Sequence, residues 1–140
     1  MLMISKRQKI IIGIIGSLLL VFIAILFIFG GWERKVVGKY RLEQFEDFET
    51  YYLHKAGQDD SADGGSIIGG TVRRIGWNSR YIVAERHSIY RGDADGWMII
   101  DVESGKMSGP FTETDFQSRQ ESKGIQIYDA SEAWKRLPGL

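Results

Sequence analysis

An uninterrupted apolar run near the amino terminus constrains this chain more than any other feature. Residues 10–29 read IIIGIIGSLLLVFIAILFIF, and sixteen of these twenty are Ile, Leu, Val or Phe, with no charge among them. Twenty helical residues extend roughly 30 Å, the thickness of a bilayer's hydrocarbon core. Because a core helix of a small globular protein needs apolar residues on one face only, the run predicts a transmembrane helix.

The run divides the chain into a short basic tail (1–9), a transmembrane helix (10–31) and a soluble domain (32–140). A cleaved export signal is the alternative, but the apolar region of such a signal is usually about 7–15 residues long. The residues that follow the run also make a poor small-x-small cleavage site. We therefore expect an uncleaved single-pass anchor, with Trp32 at the membrane interface.

Charge specifies the orientation of this anchor only weakly. Three basic residues precede the span and four follow it closely, namely Lys6, Arg7 and Lys9, then Arg34, Lys35, Lys39 and Arg41. The short basic tail resembles the start of an export signal, which favours a cytoplasmic tail. We expect the domain on the periplasmic or extracytoplasmic side of the inner (plasma) membrane, and a cytoplasm-facing domain is the alternative.

The overall charge excludes some partners. The residues after position 31 hold 15 Lys or Arg against 18 Asp or Glu, so the domain is mildly acidic. Nucleic-acid binding needs an excess of basic residues on one face, so no nucleic-acid partner is expected. The chain has no cysteine, which excludes disulfides, thiolate metal sites and a cysteine nucleophile.

Small residues mark one face of the predicted anchor. Gly13 and Ser17 form a small-xxx-small pair, and Ala24 lies seven positions further on. This spacing permits close packing of helices in lipid, although it also arises by chance. A second anchor helix is therefore a candidate partner, and a homo-oligomer formed through the anchor is one such arrangement.

The remaining residues show short alternating runs separated by turn signals. Period-two alternation in KYRLEQF predicts a half-buried strand. Similar runs predict the rest of a meander of about five antiparallel strands, at 39–45, 50–54, 71–77, 81–87 and 96–102. Two short helices are predicted after the strands, one beginning at Thr112 and one at Asp129. Strands first and helices last indicate an α+β domain.

Two of these strands are apolar at every position. Both alternating sets are apolar in YIVA (81–84) and in WMII (97–100), which predicts central strands with both faces covered. The neighbouring arginines are then expected at sheet edges or on the solvent side, with their aliphatic stems along the sheet. These are Arg73, Arg74, Arg80 and Arg86.

The strings IGWNSRYIVAERH (75–87) and GWMIIDVESGKMSGPFTETDF (96–116) resemble small bacterial envelope proteins classed only as a domain of unknown function. The shared features are a Tyr-Ile-x-Ala strand, a strand ending in Ile-Ile-Asp, and Gly-Pro-x-Thr before a helix. The resemblance implies an amino-terminal anchor or lipoprotein signal. It implies no catalytic residues, and it would place Gly109-Pro110 at a corner between a strand and a helix.

Metal and adhesion motifs are weak. DDSADGG (59–65) matches the first ligand positions of a calcium loop, but Gly70 stands where the bidentate Glu is needed. Arg91-Gly92-Asp93 matches an adhesion tripeptide that recurs by chance. The two histidines, His54 and His87, lack any metal-ligand spacing, so neither a metal nor a cofactor is expected.

These patterns favour a non-catalytic, membrane-anchored interaction domain of the bacterial envelope. Its partner would be another membrane or envelope protein, which it would serve as an accessory subunit, inhibitor, immunity factor or exclusion factor. The predicted binding residues are Trp77, Asn78 and Arg80, because Trp and Arg dominate interface hot spots. The alternatives are a small envelope hydrolase using Glu85 and Asp101, or a cytoplasm-facing regulator of a transport complex.

Overall fold

The computed structural model describes residues 3–29, 32–57, 66–88 and 91–139. Its first element is helix α1, Lys6–Phe29. A reciprocal pair of hydrogen bonds between Ser5 and Gln8 caps its start, because each side chain accepts from the other residue's backbone N–H. The large apolar side chains described between Ile10 and Leu26 are all exposed. By length and composition this helix can span a membrane, which confirms one candidate span near the amino terminus.

The chain separates into two compact units, residues 1–32 and 33–140. The described residues of the second unit form eight strands and two α-helices. In chain order they are β1 Glu33–Lys35, β2 Tyr40–Gln44, β3 Tyr51–Lys55, β4 Gly70–Trp77, β5 Tyr81–Ser88, β6 Gly96–Asp101, β7 Met107–Phe111, α2 Glu113–Ser118, β8 Ile127–Asp129 and α3 Ala130–Arg136, with a 3₁₀ turn at Gln120–Ser122 before β8.

The strands form two antiparallel sheets. The smaller has the order β1-β2-β3, and the larger has the order β7-β6-β5-β4-β8. Strands β4 to β7 follow one another as a meander, and β8 returns to pair with β4 through Arg74 and Asp129. The short strands β7 and β8 therefore form the two edges of the larger sheet, while the apolar strands β5 and β6 lie inside it.

The main core lies between the inner faces of the two sheets and the apolar side of α3. Leu42 and Leu53 of the smaller sheet and Ile75 and Ile82 of the larger one have no exposed surface. Trp134 of α3 closes the same core. Alternate residues of each strand reach this core because side chains in a strand point to opposite faces.

A second apolar cluster covers the opposite face of the larger sheet. It contains Val83, Trp97, Ile99 and Phe116, and the indole of Trp97 stacks on the Phe116 ring with centroids 4.0 Å apart. Helix α2 and the segment that follows it provide the cover. Gly76 allows this close approach, since an added Cβ would lie 2.5 Å from the carbonyl oxygen of Gln126.

The predicted α+β class, with an amino-terminal apolar helix, a five-stranded antiparallel sheet and short carboxy-terminal helices, is confirmed. The prediction did not separate the second, three-stranded sheet. It also missed β7, because Gly109-Pro110 was assigned to a corner but lies within that strand. Proline has no backbone N–H to donate, so an edge strand such as β7 is where a sheet accommodates it.

The two predicted helix starts differ in whether a side chain caps the helix. Thr112 caps α2 by accepting a hydrogen bond from the backbone N–H of Asp115, 3.2 Å away. That helix has only six residues before the chain turns into a 3₁₀ segment. Asp129 precedes α3, but its side chain makes no capping hydrogen bond there.

Candidate functional site

The turn between β4 and β5 contains the three predicted binding residues. The Asn78 side-chain oxygen accepts hydrogen bonds from the backbone N–H groups of Arg80 and Tyr81, at 2.9 and 2.7 Å. The backbone of Asn78 also donates to the carbonyl of Tyr81 at 3.0 Å. The Asn78 side chain therefore holds the turn together, as Asn commonly does in tight turns.

The other two predicted residues differ in exposure. Trp77 is half-buried, and its ring lies 5.7 Å from that of Tyr128 at the margin of the main core. The Arg80 side chain is 62% exposed, lies over the ring of Tyr81 and approaches Asp101 at 3.6 Å. Arg80 thus offers an exposed, charged side chain to a partner, while Trp77 contributes mainly to packing.

A charged network lies at the second apolar cluster. The Arg74 guanidinium contacts Glu85 at 2.6 Å and Glu113 at 3.0 Å, and it lies over the ring of Trp97. The Trp97 indole N–H donates to Glu113 at 2.7 Å. This hydrogen bond, followed by the charge of Arg74, holds the pKa of Glu113 below its ordinary value. The hydrogen bond that Arg74 donates to Glu85 raises the pKa of Arg74 above its ordinary value.

The carboxylates of the hydrolase alternative lie far apart. Strand register pairs Glu85 with Trp97 and Asp101 with Tyr81, so the two acids share a face but lie four residues apart along it. At about 3.4 Å per residue this is roughly 13 Å. Carboxylate pairs that hydrolyse glycosides lie about 5–9.5 Å apart. Asp101 instead accepts from the backbone of Glu103 and Ser104 in the next turn, and these bonds lower its pKa.

Arg86 corrects the expectation that all four arginines face solvent. It is 9% exposed and donates to the backbone carbonyls of Ile68 and Ala94, at 3.1 and 2.6 Å. In β5 it occupies the same face as Ile82 and Ala84, so its stem continues the main core. Its guanidinium thereby ties the segment before β4 to the segment before β6.

Each histidine contacts charged side chains of neighbouring segments. His54 pairs with Glu43 across β2 and β3, and His87 lies 3.0 Å from Asp95 and 2.9 Å from Arg73. Within the described residues no group of three His, Cys, Asp or Glu side chains comes together as a metal site. The acidic segment 59–65, which lacks the bidentate Glu of a calcium loop, falls outside the described residues, and Arg91-Gly92-Asp93 lies in a turn.

The turn between β2 and β3 is a feature that sequence reasoning missed. Phe45 and Phe48 are 49% and 66% exposed there, and Phe45 meets the ring of Tyr52 edge-on at 6.0 Å. Phe48 has a positive φ of 60°, a conformation that bulky residues rarely adopt. By composition alone, the segment EDFE (46–49) indicates only a turn. The sequence signal that could have indicated this exposed surface is the pair of phenylalanines next to acidic residues in the turn.

The architecture defines a class of protein: a small α+β domain, built on two antiparallel sheets, that follows an apolar helix able to cross a membrane. Residues 37–128 match the model of the family described as Protein of unknown function (DUF3997), and the chain belongs to that family. This confirms the resemblance inferred from residues 75–87 and 96–116. No curated protein and no solved structure matches the chain.

The family match includes the β2–β3 turn and the β4–β5 turn. It begins at residue 37, just before β2, and ends at residue 128, within β8. The larger sheet and strands β2 and β3 of the smaller sheet therefore fall almost wholly within it, while α1, β1 and α3 lie outside. The β2–β3 turn and the β4–β5 turn are both part of the domain that defines the family.

Proposed function

We propose that this chain is a single-pass, membrane-anchored, non-catalytic domain that binds another membrane or envelope protein. The observation that carries the proposal is the surface of α1, whose large apolar side chains between Ile10 and Leu26 are all exposed. Exposed apolar surface of this extent is unfavourable in water and favourable in a bilayer. The helix then serves as the anchor, and the domain of residues 33–140 carries the binding surface.

Tethering supports a binding role for so small a domain. A partner held in the same membrane is met at high effective concentration, so a weak contact is sufficient for association. The domain offers a few exposed side chains on rigid hairpins, which suits a small, partly apolar interface. An accessory subunit, an inhibitor, or an immunity or exclusion factor would all use such an interface.

The contacts of the acidic residues support a non-catalytic role. Glu85 pairs with Arg74, Glu113 accepts from Trp97 and Arg74, and Asp101 caps a turn. Hydrogen bonds lower the pKa of Glu113 and Asp101, which keeps them ionised, whereas a general acid needs a raised pKa. Each carboxylate thus already has a structural role in the domain.

The proposed location is the inner (plasma) membrane, with the basic tail in the cytoplasm and the domain on the extracytoplasmic side. A reporter fused to the carboxy terminus tests this placement. A reporter that is active only after export should be active, and one that is active only in the cytoplasm should be silent. The opposite pattern would favour a cytoplasm-facing regulator instead.

Binding is tested with a photo-crosslinking amino acid at position 80, where the Arg80 side chain is 62% exposed. The full chain should form a discrete crosslinked product with one membrane or envelope protein at native expression. Position 107, an exposed residue on the edge strand β7, is the matched control. Failure to crosslink any protein from any exposed position of the domain would contradict a binding function.

A further inference from the structure

We propose that the β2–β3 turn is the part of the domain that enters the partner, and that it fits an apolar pocket rimmed by Lys or Arg on a protein. We call this turn the phenylalanine tip and define it as residues 45–49 together with Tyr52. The inference rests on the proposed binding function and names the surface and the chemistry of the partner.

The first observation is the exposure of the tip. In the described part of the domain, three large hydrophobic side chains are classed as exposed: Phe45 at 49%, Phe48 at 66% and Met107 at 40%. Two of the three are therefore aromatic and lie within four residues of each other. Phe45 also contacts Tyr52 edge-on, so the tip presents an aromatic pair together with the exposed ring of Phe48. Aromatic side chains supply large contact area at low entropic cost in interfaces.

The second observation is that the loop holds Phe48 in place. The Asp47 carboxylate accepts hydrogen bonds from the backbone of Glu49 and of Thr50, and from the Thr50 hydroxyl. The Gln44 side chain donates to the Phe48 carbonyl at 3.1 Å, and the Phe48 N–H donates to the Phe45 carbonyl at 3.0 Å. These bonds fix the positive φ of Phe48. A preorganised backbone loses less entropy on binding.

The third observation is the charge around the rings. The segment 42–54 contains Glu43, Glu46, Asp47 and Glu49, and it contains no Lys or Arg. Hydrogen bonds from Thr50 and Glu49 lower the pKa of Asp47, so its charge persists at neutral pH. A protein pocket with a basic rim complements this surface. An anionic lipid surface repels it, which argues against insertion of the tip into the bilayer.

The test places a photo-crosslinking amino acid at position 48 of the full chain in its native membrane, with positions 80 and 107 as comparisons. We expect position 48 to give a protein product in at least about tenfold higher yield than position 107, as for a hot-spot position. The crosslinked peptide of the partner should contain apolar residues flanked by Lys or Arg. The yield should fall as the salt concentration rises.

Two variants separate docking from folding, with the crosslinker moved to position 52. Phe48→Gly removes the ring but suits the positive φ, so the melting temperature should stay near that of the parent while the yield falls about tenfold. The double variant Glu46→Lys, Glu49→Lys keeps the aromatic rings and reverses two charges. It should also reduce the yield of the crosslinked product. The matched change Met107→Gly should leave the yield unchanged.

The remaining outcomes overturn the inference in distinguishable ways. Products at position 80 but none at position 48 would leave the binding function in place and reject the phenylalanine tip. Crosslinks from position 48 only to lipid would show a membrane-inserted tip, and crosslinks only to a second copy would show a homo-oligomer. The absence of protein products at all three positions would reject the binding function together with the inference.

Discussion

Two hairpin turns of the domain, β2–β3 and β4–β5, are held by the same kind of side-chain hydrogen bond but place their aromatic residues in opposite ways. In the β4–β5 turn, Asn78 accepts from two backbone N–H groups, and the large aromatic residue Trp77 packs against Tyr128. In the β2–β3 turn, Asp47 plays the role of Asn78, but the aromatic residue Phe48 points away from the core. Equivalent turn chemistry thus supports packing in one hairpin and exposure in the other, and we attribute the exposure to binding.

The largest expected difference between the turns is in the effect of removing the aromatic ring. Trp77→Ala should destabilise the domain by about 2 kcal/mol, which is less than the cost for a fully buried Trp because this ring is half-exposed. Chemical denaturation followed by circular dichroism measures the effect. A loss below about 0.5 kcal/mol would show that Trp77 is not part of the core.

Removing the polar group that organises the β4–β5 turn should have a smaller effect. Asn78→Ala leaves two backbone N–H groups to be solvated by water, and the expected loss of stability is about 1 kcal/mol. The same denaturation experiment measures it. Asn78→Asp, which keeps an acceptor at the same place, is the matched control and should retain most of the stability at neutral pH.

The stability that Asp47 gives to the β2–β3 turn should depend on pH. The pKa of Asp47 is lower in the folded state than its ordinary value of 3.8, so its stabilising contribution is present above that value. The contribution is lost as the pH falls through the lower, folded-state pKa. Unfolding of the parent and of Asp47→Asn should therefore differ at neutral pH and converge in acid. A constant difference would contradict this assignment.

The smallest stability change is expected for the most exposed ring. Phe48→Gly relieves an unfavourable φ but makes the unfolded chain more flexible, so stability should stay within about 0.5 kcal/mol of the parent. Phe48→Val makes the comparison sharper, because a β-branched residue tolerates positive φ poorly and should destabilise the turn. A large loss with Phe48→Gly would mean that the ring is structural, like that of Trp77.

The sequence predicted the features that depend on local apolar patterns. The runs at 81–84 and 97–100 identified the two central strands, because a strand covered on both faces is apolar at every position. The long run at 10–29 identified the apolar helix for a similar reason. Thr112 was recognised as a helix cap because its partner Asp115 is only three residues away.

The features that were missed depend on contacts distant in sequence or on backbone geometry. Arg74 and Glu113 are 39 positions apart, so their ion pair has no local signature. Arg86 is buried because its guanidinium donates hydrogen bonds to backbone carbonyls of two other segments. The alternation of residues within β5 gives no information about those carbonyls. The exposure of Phe48 follows from a single positive φ, and apolar patterns carry no information about that angle.

Retention of the first helix in the membrane is the claim on which the proposed function depends most. Alkaline carbonate extraction of membranes, followed by intact mass measurement of the retained protein, tests it directly. The account predicts that the protein stays in the membrane pellet with a mass that includes residues 10–29. A protein that begins near Trp32 and appears in the soluble fraction would contradict it.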